Sequence, residues 1–164
     1  MKSFPIRFNI NDEEVTAEFA AHVTLLQALR ELGHMEVKNG CEKGDCGSCA
    51  VFLDGVPINA CLVLAVQAHG RDVTTVRDLG TMDDLHPLQV SFIEHGAIQC
   101  GFCTPGMLVS AKALLDKNPS PTREDINQGI SGNLCRCTGY VKIVDAIGAA
   151  AGELKKSKKR SRKR

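Results

Sequence analysis

Several familiar signals are missing from this 164-residue chain. The first twenty residues hold no apolar run behind a basic start, so no secretory signal is expected and an oxidising compartment is not implied. No apolar stretch approaches the roughly 18 residues of a membrane span, and tryptophan is absent. A cytoplasmic chain without a transmembrane segment is the expectation. There is no glycine-rich dinucleotide fingerprint after a strand, no P-loop and no nucleophile elbow, so neither FAD nor an organic substrate is expected to bind this chain alone. The five histidines, His22, His34, His69, His86 and His95, are scattered without ligand spacing and read as surface or cap residues.

Cysteine is what the chain has. Its eight cysteines divide into two quartets with none left over. In the first, four residues separate Cys41 from Cys46, two separate Cys46 from Cys49, and eleven lead to Cys61. In the second, two residues separate Cys100 from Cys103, thirty-one lead to Cys135, and one separates Cys135 from Cys137. Four thiolates are the ligand set of one two-iron, two-sulfide cluster, and the first spacing is that of plant-type ferredoxins. No histidine stands at a ligand position, which argues against a Rieske centre.

Two other readings compete. Disulfides suit an oxidising compartment, for which the chain carries no signal. Structural zinc is the stronger alternative, above all for the second quartet, because CxxC pairs are common zinc ligands. Zinc sites of four cysteines usually pair one CxxC with another, whereas here the partners are a four-residue gap and a CxC. Gly40, Gly44 and Gly47 bracket Cys41 and Cys46, and would let a loop wrap a cluster with amide N–H groups aimed at sulfur.

The two halves differ in pattern. Ile6, Phe8 and Ile10 alternate with polar residues, as do Val15, Ala17 and Phe19, around a turn at Asn11-Asp12. Thr24 precedes Leu25, Leu26, Leu29 and Leu32 at helical spacing, with Gly33 as the stop. Asp54-Gly55 marks a second hairpin between residues 50–53 and 56–60, and Val73 to Val76 is β-rich. From residue 86 the signals are helical: Pro87 to His95, Pro105 to Asp116, Arg123 to Ile130 behind a capping box at Thr122 and Asp125, and Tyr140 to Ala151. The expected fold is α+β, a β-grasp ferredoxin-like domain over residues 1–78, a linker at 79–85, and an all-α four-helix domain over 86–152. Each domain is small enough to depend on its metal.

The motifs NGCEKGDCGSCAVFLDG, IQCGFCTPGM and SGNLCRCTGY, in this order, resemble the small iron–sulfur subunit of the xanthine oxidase family of molybdenum hydroxylases, over about Ile6 to Ala151. The branch it resembles contains the xanthine, nicotinate, isoquinoline and carbon monoxide dehydrogenases and 4-hydroxybenzoyl-CoA reductase. The resemblance implies two 2Fe-2S clusters, held by Cys41, Cys46, Cys49 and Cys61 and by Cys100, Cys103, Cys135 and Cys137. It implies an electron relay inside a multi-subunit molybdenum oxidoreductase: a large subunit carries molybdopterin, a medium subunit carries FAD, and the assembly is a heterotrimer or its dimer. It places the second cluster nearer the pterin, with Gln99 and Cys100 contacting it, and the first nearer the flavin or external acceptor. A free-standing two-cluster ferredoxin or redox sensor is the alternative.

The C-terminus departs from that pattern. Residues 153–164 carry eight basic residues and Glu153, a charge of +7, while the 12 basic and 18 acidic residues before them give −6; together these make the net +1. So dense a block of like charge is expected to be disordered, as a solubilising tail, or else as a salt-sensitive contact to an acidic partner surface or a loose one to nucleic acid or a membrane surface, with no specific nucleic acid as partner.

Overall fold

The structure, a computed structural model, describes residues 2–161, with side chains from Lys2 to Ser157. Strands β1 (Ser3–Ile10) and β2 (Glu13–Ala20) pair antiparallel from Ser3↔Ala20 to Ile10↔Glu13. Asn11 and Asp12 join them with φ of 51° and 64°, the left-handed geometry of a two-residue hairpin whose twist matches the strands. Helix α1 (Leu25–Glu31) starts at Thr24, whose hydroxyl accepts from the Gln27 N–H while Gln27 Oε1 accepts from the Thr24 N–H. Its buried face is Leu25, Leu26, Ala28 and Leu29, and it ends before Gly33 at φ +94°.

Strands β3 (Ala50–Leu53) and β4 (Val56–Asn59) form the second hairpin around Asp54-Gly55, again with both turn residues at positive φ. Strand β5 (Asp72–Thr74) completes a sheet of order β2-β1-β5-β3-β4, parallel to β1 and antiparallel to β3. This central parallel pairing was not readable from the sequence, because β5 has three residues and no alternation of its own.

Helices α2 (Pro87–Glu94), α3 (Thr104–Lys117), α4 (Arg123–Gly129) and α5 (Val141–Ser161) form the second half. His86 caps α2, its Nδ1 accepting from the Leu88 N–H at 3.1 Å, and proline stands at the first helical position. Thr122 and Asp125 form the expected capping box of α4. The helical core gathers Leu88, Phe92, Met107, Leu108, Ile126, Ile143 and Ile147.

The two halves share strand β3. Its residues alternate in side: Val51 and Leu53 enter the core beneath α1, while Ala50 and Phe52 pack with Val109 and Ala113 of α3. A short run of four apolar residues, buried on both faces, is the sequence form of such a strand.

One expectation about boundaries needs correction. The terminal helix does not stop near Ala151; it runs to Ser161 and takes in much of the stretch expected to be disordered. Leu154 packs against the helical core and Lys156 donates to Glu153 Oε1 at 2.7 Å, so a packed base carries the helix into the lysine-rich stretch. Residues 162–164 of that expected tail lie outside the described residues. The segment 79–85, read as the linker, contains no helix or strand beyond Leu79, the last residue of a 3-10 turn. Val76 and Leu79 pack against the helical core, and the Thr81 N–H donates to the Asp84 carbonyl at 3.1 Å.

Candidate metal centres

The first quartet lies in the loop between α1 and β3 and in the turn after β4. Glycine makes the loop possible at two points: Gly44 and Gly47 hold φ of +83° and +67°. A Cβ added at Gly40 would meet Cys46 Sγ at 2.8 Å and Ser48 Oγ at 2.7 Å, so the backbone comes closer to the thiol than any side chain would allow. The Lys43 N–H donates to Cys41 Sγ at 3.4 Å, and the Ser48 hydroxyl lies 3.1 Å from Cys46 Sγ. Cys49 and Cys61 are buried, while Cys41 and Cys46 are half-buried.

The second quartet comes from two loops, one before α3 and one before α5. Cys137 Sγ lies 3.6 Å from Cys100 Sγ, both exposed, and Cys103 contacts Cys135. The Thr138 hydroxyl donates to Cys135 Sγ at 3.1 Å, and the Cys135 N–H donates to Tyr140 Oη at 2.8 Å. Gly101 at φ +80°, and Gly139 and Tyr140 at +64° and +68°, turn the backbone around the thiols. Gln99 is exposed beside Cys100.

The electrostatics of the two sites match. Hydrogen bonding from the Lys43 amide, followed by the Cys46 and Asp45 amides, outweighs burial and draws the Cys41 thiol down to about 7. Burial pushes Cys49 up to about 12, with the neighbouring Cys61 adding to it. Burial also pushes Cys103 up to about 12, with Cys135 and Cys100 contributing. Burial would raise Cys135 as well, but hydrogen bonds from the Thr138 side chain and backbone outweigh it, and the thiol is lowered. Contact with Cys100 raises Cys137. Each site thus holds a thiol that the protein by itself keeps protonated, and a ligated cation is what converts such a thiol to thiolate.

The donor set fits two two-iron clusters. All eight soft sulfur ligands fall into two spatial groups that coincide with the two quartets read from the sequence, and amide and hydroxyl donors reach the sulfurs in both. Among the described residues, no three His, Cys, Asp or Glu side chains are close enough to share a single metal ion. A two-iron, two-sulfide cluster at either site would be held by the four thiols of that quartet and would supply one-electron redox chemistry. Sequence reasoning missed the supporting residues Ser48, Thr138 and Tyr140, which differ in no visible way from ordinary loop residues.

The loops of the two sites are in direct contact. The Leu134 N–H donates to the Cys46 carbonyl at 2.9 Å, and Asn133 Nδ2 donates to the Gly47 carbonyl at 3.0 Å in a buried contact. Glycine is needed at the seam, because a Cβ on Gly106 would overlap the Gly47 carbonyl oxygen and one on Gly47 would overlap the Gly132 carbonyl oxygen.

Comparison with known proteins accounts for both sites. Residues 8–72 match the family model of a 2Fe-2S iron–sulfur cluster binding domain, and residues 75–148 that of a [2Fe-2S] binding domain. The nicotinate dehydrogenase small FeS subunit of Eubacterium barkeri is 47% identical over 150 residues, spanning 90% of this chain and 94% of that one. This chain belongs to the small iron–sulfur subunits of the molybdenum hydroxylases. Among solved structures, quinoline 2-oxidoreductase from Pseudomonas putida 86 superposes with a TM-score of 0.90 at 44% identity, over 95% of this chain and 98% of that chain. The aldehyde oxidoreductase of Desulfovibrio desulfuricans gives 0.88 at 44% identity, where 92% of this chain matches 17% of a much longer one.

Family membership carries the expected α+β fold, the two 2Fe-2S clusters and electron transfer as a subunit of a molybdenum-dependent oxidoreductase. A free-standing ferredoxin or sensor is not favoured. Among the described residues no helix is long and apolar enough to cross a membrane.

Proposed function

We propose that this subunit relays electrons between a molybdopterin site on a large subunit and an acceptor, with Cys100, Cys103, Cys135 and Cys137 at the pterin end and Cys41, Cys46, Cys49 and Cys61 at the acceptor end. When bound, the clusters supply one-electron oxidation and reduction. The chain's own residues hold the thiolates, exclude water from Cys49 and Cys61, and set the path between the sites. The observation that carries the reading is the hydrogen bond from the Leu134 N–H to the Cys46 carbonyl, since Leu134 adjoins Cys135 and the bond connects a ligand of one site with the neighbour of a ligand of the other.

Exposure supports the direction. Cys100 and Cys137 are exposed, as are their sequence neighbours Ile98, Phe102, Leu134 and Val141, and exposed apolar side chains beside a redox site suit a protein partner. In this reading Gln99 offers its amide to the pterin together with the Cys100 backbone, and its exposure beside Cys100 supports that role. The relay passes electrons onward to FAD on a medium subunit in a cytoplasmic heterotrimer or its dimer. In this reading residues 1–78 and 86–152 act as the two cluster-bearing units on either side of the segment 79–85.

The test is elemental analysis of the chain drawn anaerobically from its native host. About four irons per chain with molybdenum in the same fraction is the expected result. Iron without molybdenum points to a ferredoxin acting alone, and zinc in place of iron overturns the ligand assignment.

A further inference from the structure

The residues on either side of Cys61 close over the loop that carries the other three ligands of its quartet. Asn59 Nδ2 donates to the Gly44 carbonyl at 3.1 Å. Leu62 lies across the same glycine, where a Cβ would meet Leu62 Cδ1 at 2.5 Å, Cγ at 3.1 Å and Cδ2 at 3.3 Å. Gly44 therefore has two reasons to be glycine, its φ of +83° and the leucine above it. Leu62 is nevertheless 63% exposed, an unusual position for a large apolar side chain next to a buried thiol, since Cys61 is only 6% exposed. Gly44 directly follows Lys43, whose N–H reaches Cys41 Sγ.

We infer that Leu62 is a positioning residue for the first cluster: with Asn59 it clasps Gly44, holds the Lys43 amide on Cys41 sulfur and keeps water from the sulfur. The inference rests on the first quartet binding a cluster. Amide–sulfur hydrogen bonds and solvent exposure both act on cluster potential. Reduction adds negative charge, which water stabilises better than an apolar side chain does. When the leucine is removed Asn59 still holds Gly44, and with it the Lys43 amide on Cys41 sulfur, so the change that remains is the admitted water, which raises the potential of the first cluster and opens the sulfides to attack.

The experiment uses the full chain loaded with both clusters, prepared as wild type, Leu62→Ala, Leu62→Gln and Leu62→Met. Iron content and the Cys137→Ala variant, which keeps the first cluster alone, examine the ligand assignment separately and give the spectrum by which the first cluster is recognised. For Leu62→Ala and Leu62→Gln the expected result is an upward shift in the first cluster's midpoint potential. Iron loss from that cluster to a chelator should be about two- to fivefold faster, scaled from the third of a leucine side chain that is covered. The second cluster should be unchanged, and Leu62→Met should restore wild-type behaviour. Equal potentials and equal loss rates in Leu62→Ala overturn the inference, and so does a parallel change in both clusters.

Discussion

Asn133 and Gly47 are 86 residues apart in sequence, yet the Asn133 amide donates to the Gly47 carbonyl at 3.0 Å in the buried seam between the two cysteine loops. Asn133 is 4% exposed and lies two residues before Cys135, while Gly47 follows Cys46. This side chain thus joins the Leu134 to Cys46 backbone bond and the glycine contacts in fixing the spacing of the two cysteine loops.

Asn133→Ala removes one of two donors to the Gly47 carbonyl, which still accepts from the Ala50 N–H at 3.1 Å, so the loss is that of one hydrogen bond, about 0.5–1.5 kcal/mol. Thermal denaturation of the iron-loaded chain should show a lowered transition. Electron exchange between the clusters should slow as the seam loosens, while iron content is retained.

Gly106→Ala drives a methyl group into the Gly47 carbonyl oxygen. Neither partner is a flexible side-chain tip, so the loops must separate, at a cost of about 1–3 kcal/mol typical of overpacking. An Ala substitution at Gly152, inside α5 where a Cβ would meet nothing within 4 Å, is the control and should raise stability by about 0.5–1 kcal/mol instead of lowering it.

Cys137→Ala should reduce iron from about four to about two per chain and spare the first cluster. Retention of both clusters would falsify the assignment of Cys137 as a ligand.

Gln99→Ala tests the pterin contact. Turnover of the assembled complex should fall while iron and subunit composition stay constant. Unchanged turnover removes Gln99 from the proposed contact.

Acid stability should depend on Glu36. Burial would raise its carboxyl, but its own backbone N–H, the Thr75 hydroxyl at 2.9 Å and His34 at 3.0 Å outweigh burial and hold it below the ordinary 4.5. The ionised form is therefore favoured by folding. Its contribution is fully present above the unfolded carboxylate value and disappears as pH falls through the lower, folded one. Acid titration of Glu36→Gln should show a shallower loss of stability below about pH 4.5 than wild type, with the two curves converging at the acid end.

What was legible in the sequence was local. Asn11-Asp12 and Asp54-Gly55 announce turns, Thr24 and the pair Thr122 and Asp125 announce helix starts, and the cysteine spacings announce the quartets. What was hidden is non-local. Asn133 looks like any polar loop residue until Gly47 is beside it, and Leu62 like any surface leucine until Gly44 is beneath it. The reach of α5 was misjudged because charge repulsion was weighed without Leu154, whose packing anchors the turn from which the basic stretch grows. The exposure of Cys100 and Cys137 could not be read from spacing at all.

Strand β3 gives the chain a mechanical unity that its two family matches do not suggest. The matches meet between residues 72 and 75, yet Phe52 belongs to the earlier match and packs against Val109 and Ala113 of the later one. Severing the chain at that seam would strip a strand of half its cover and present Ala50 and Phe52 to water. The contact of Phe52 with α3 thus ties the stability of each iron-binding unit to the presence of the other, and either unit expressed alone should melt at a lower temperature than in the whole chain.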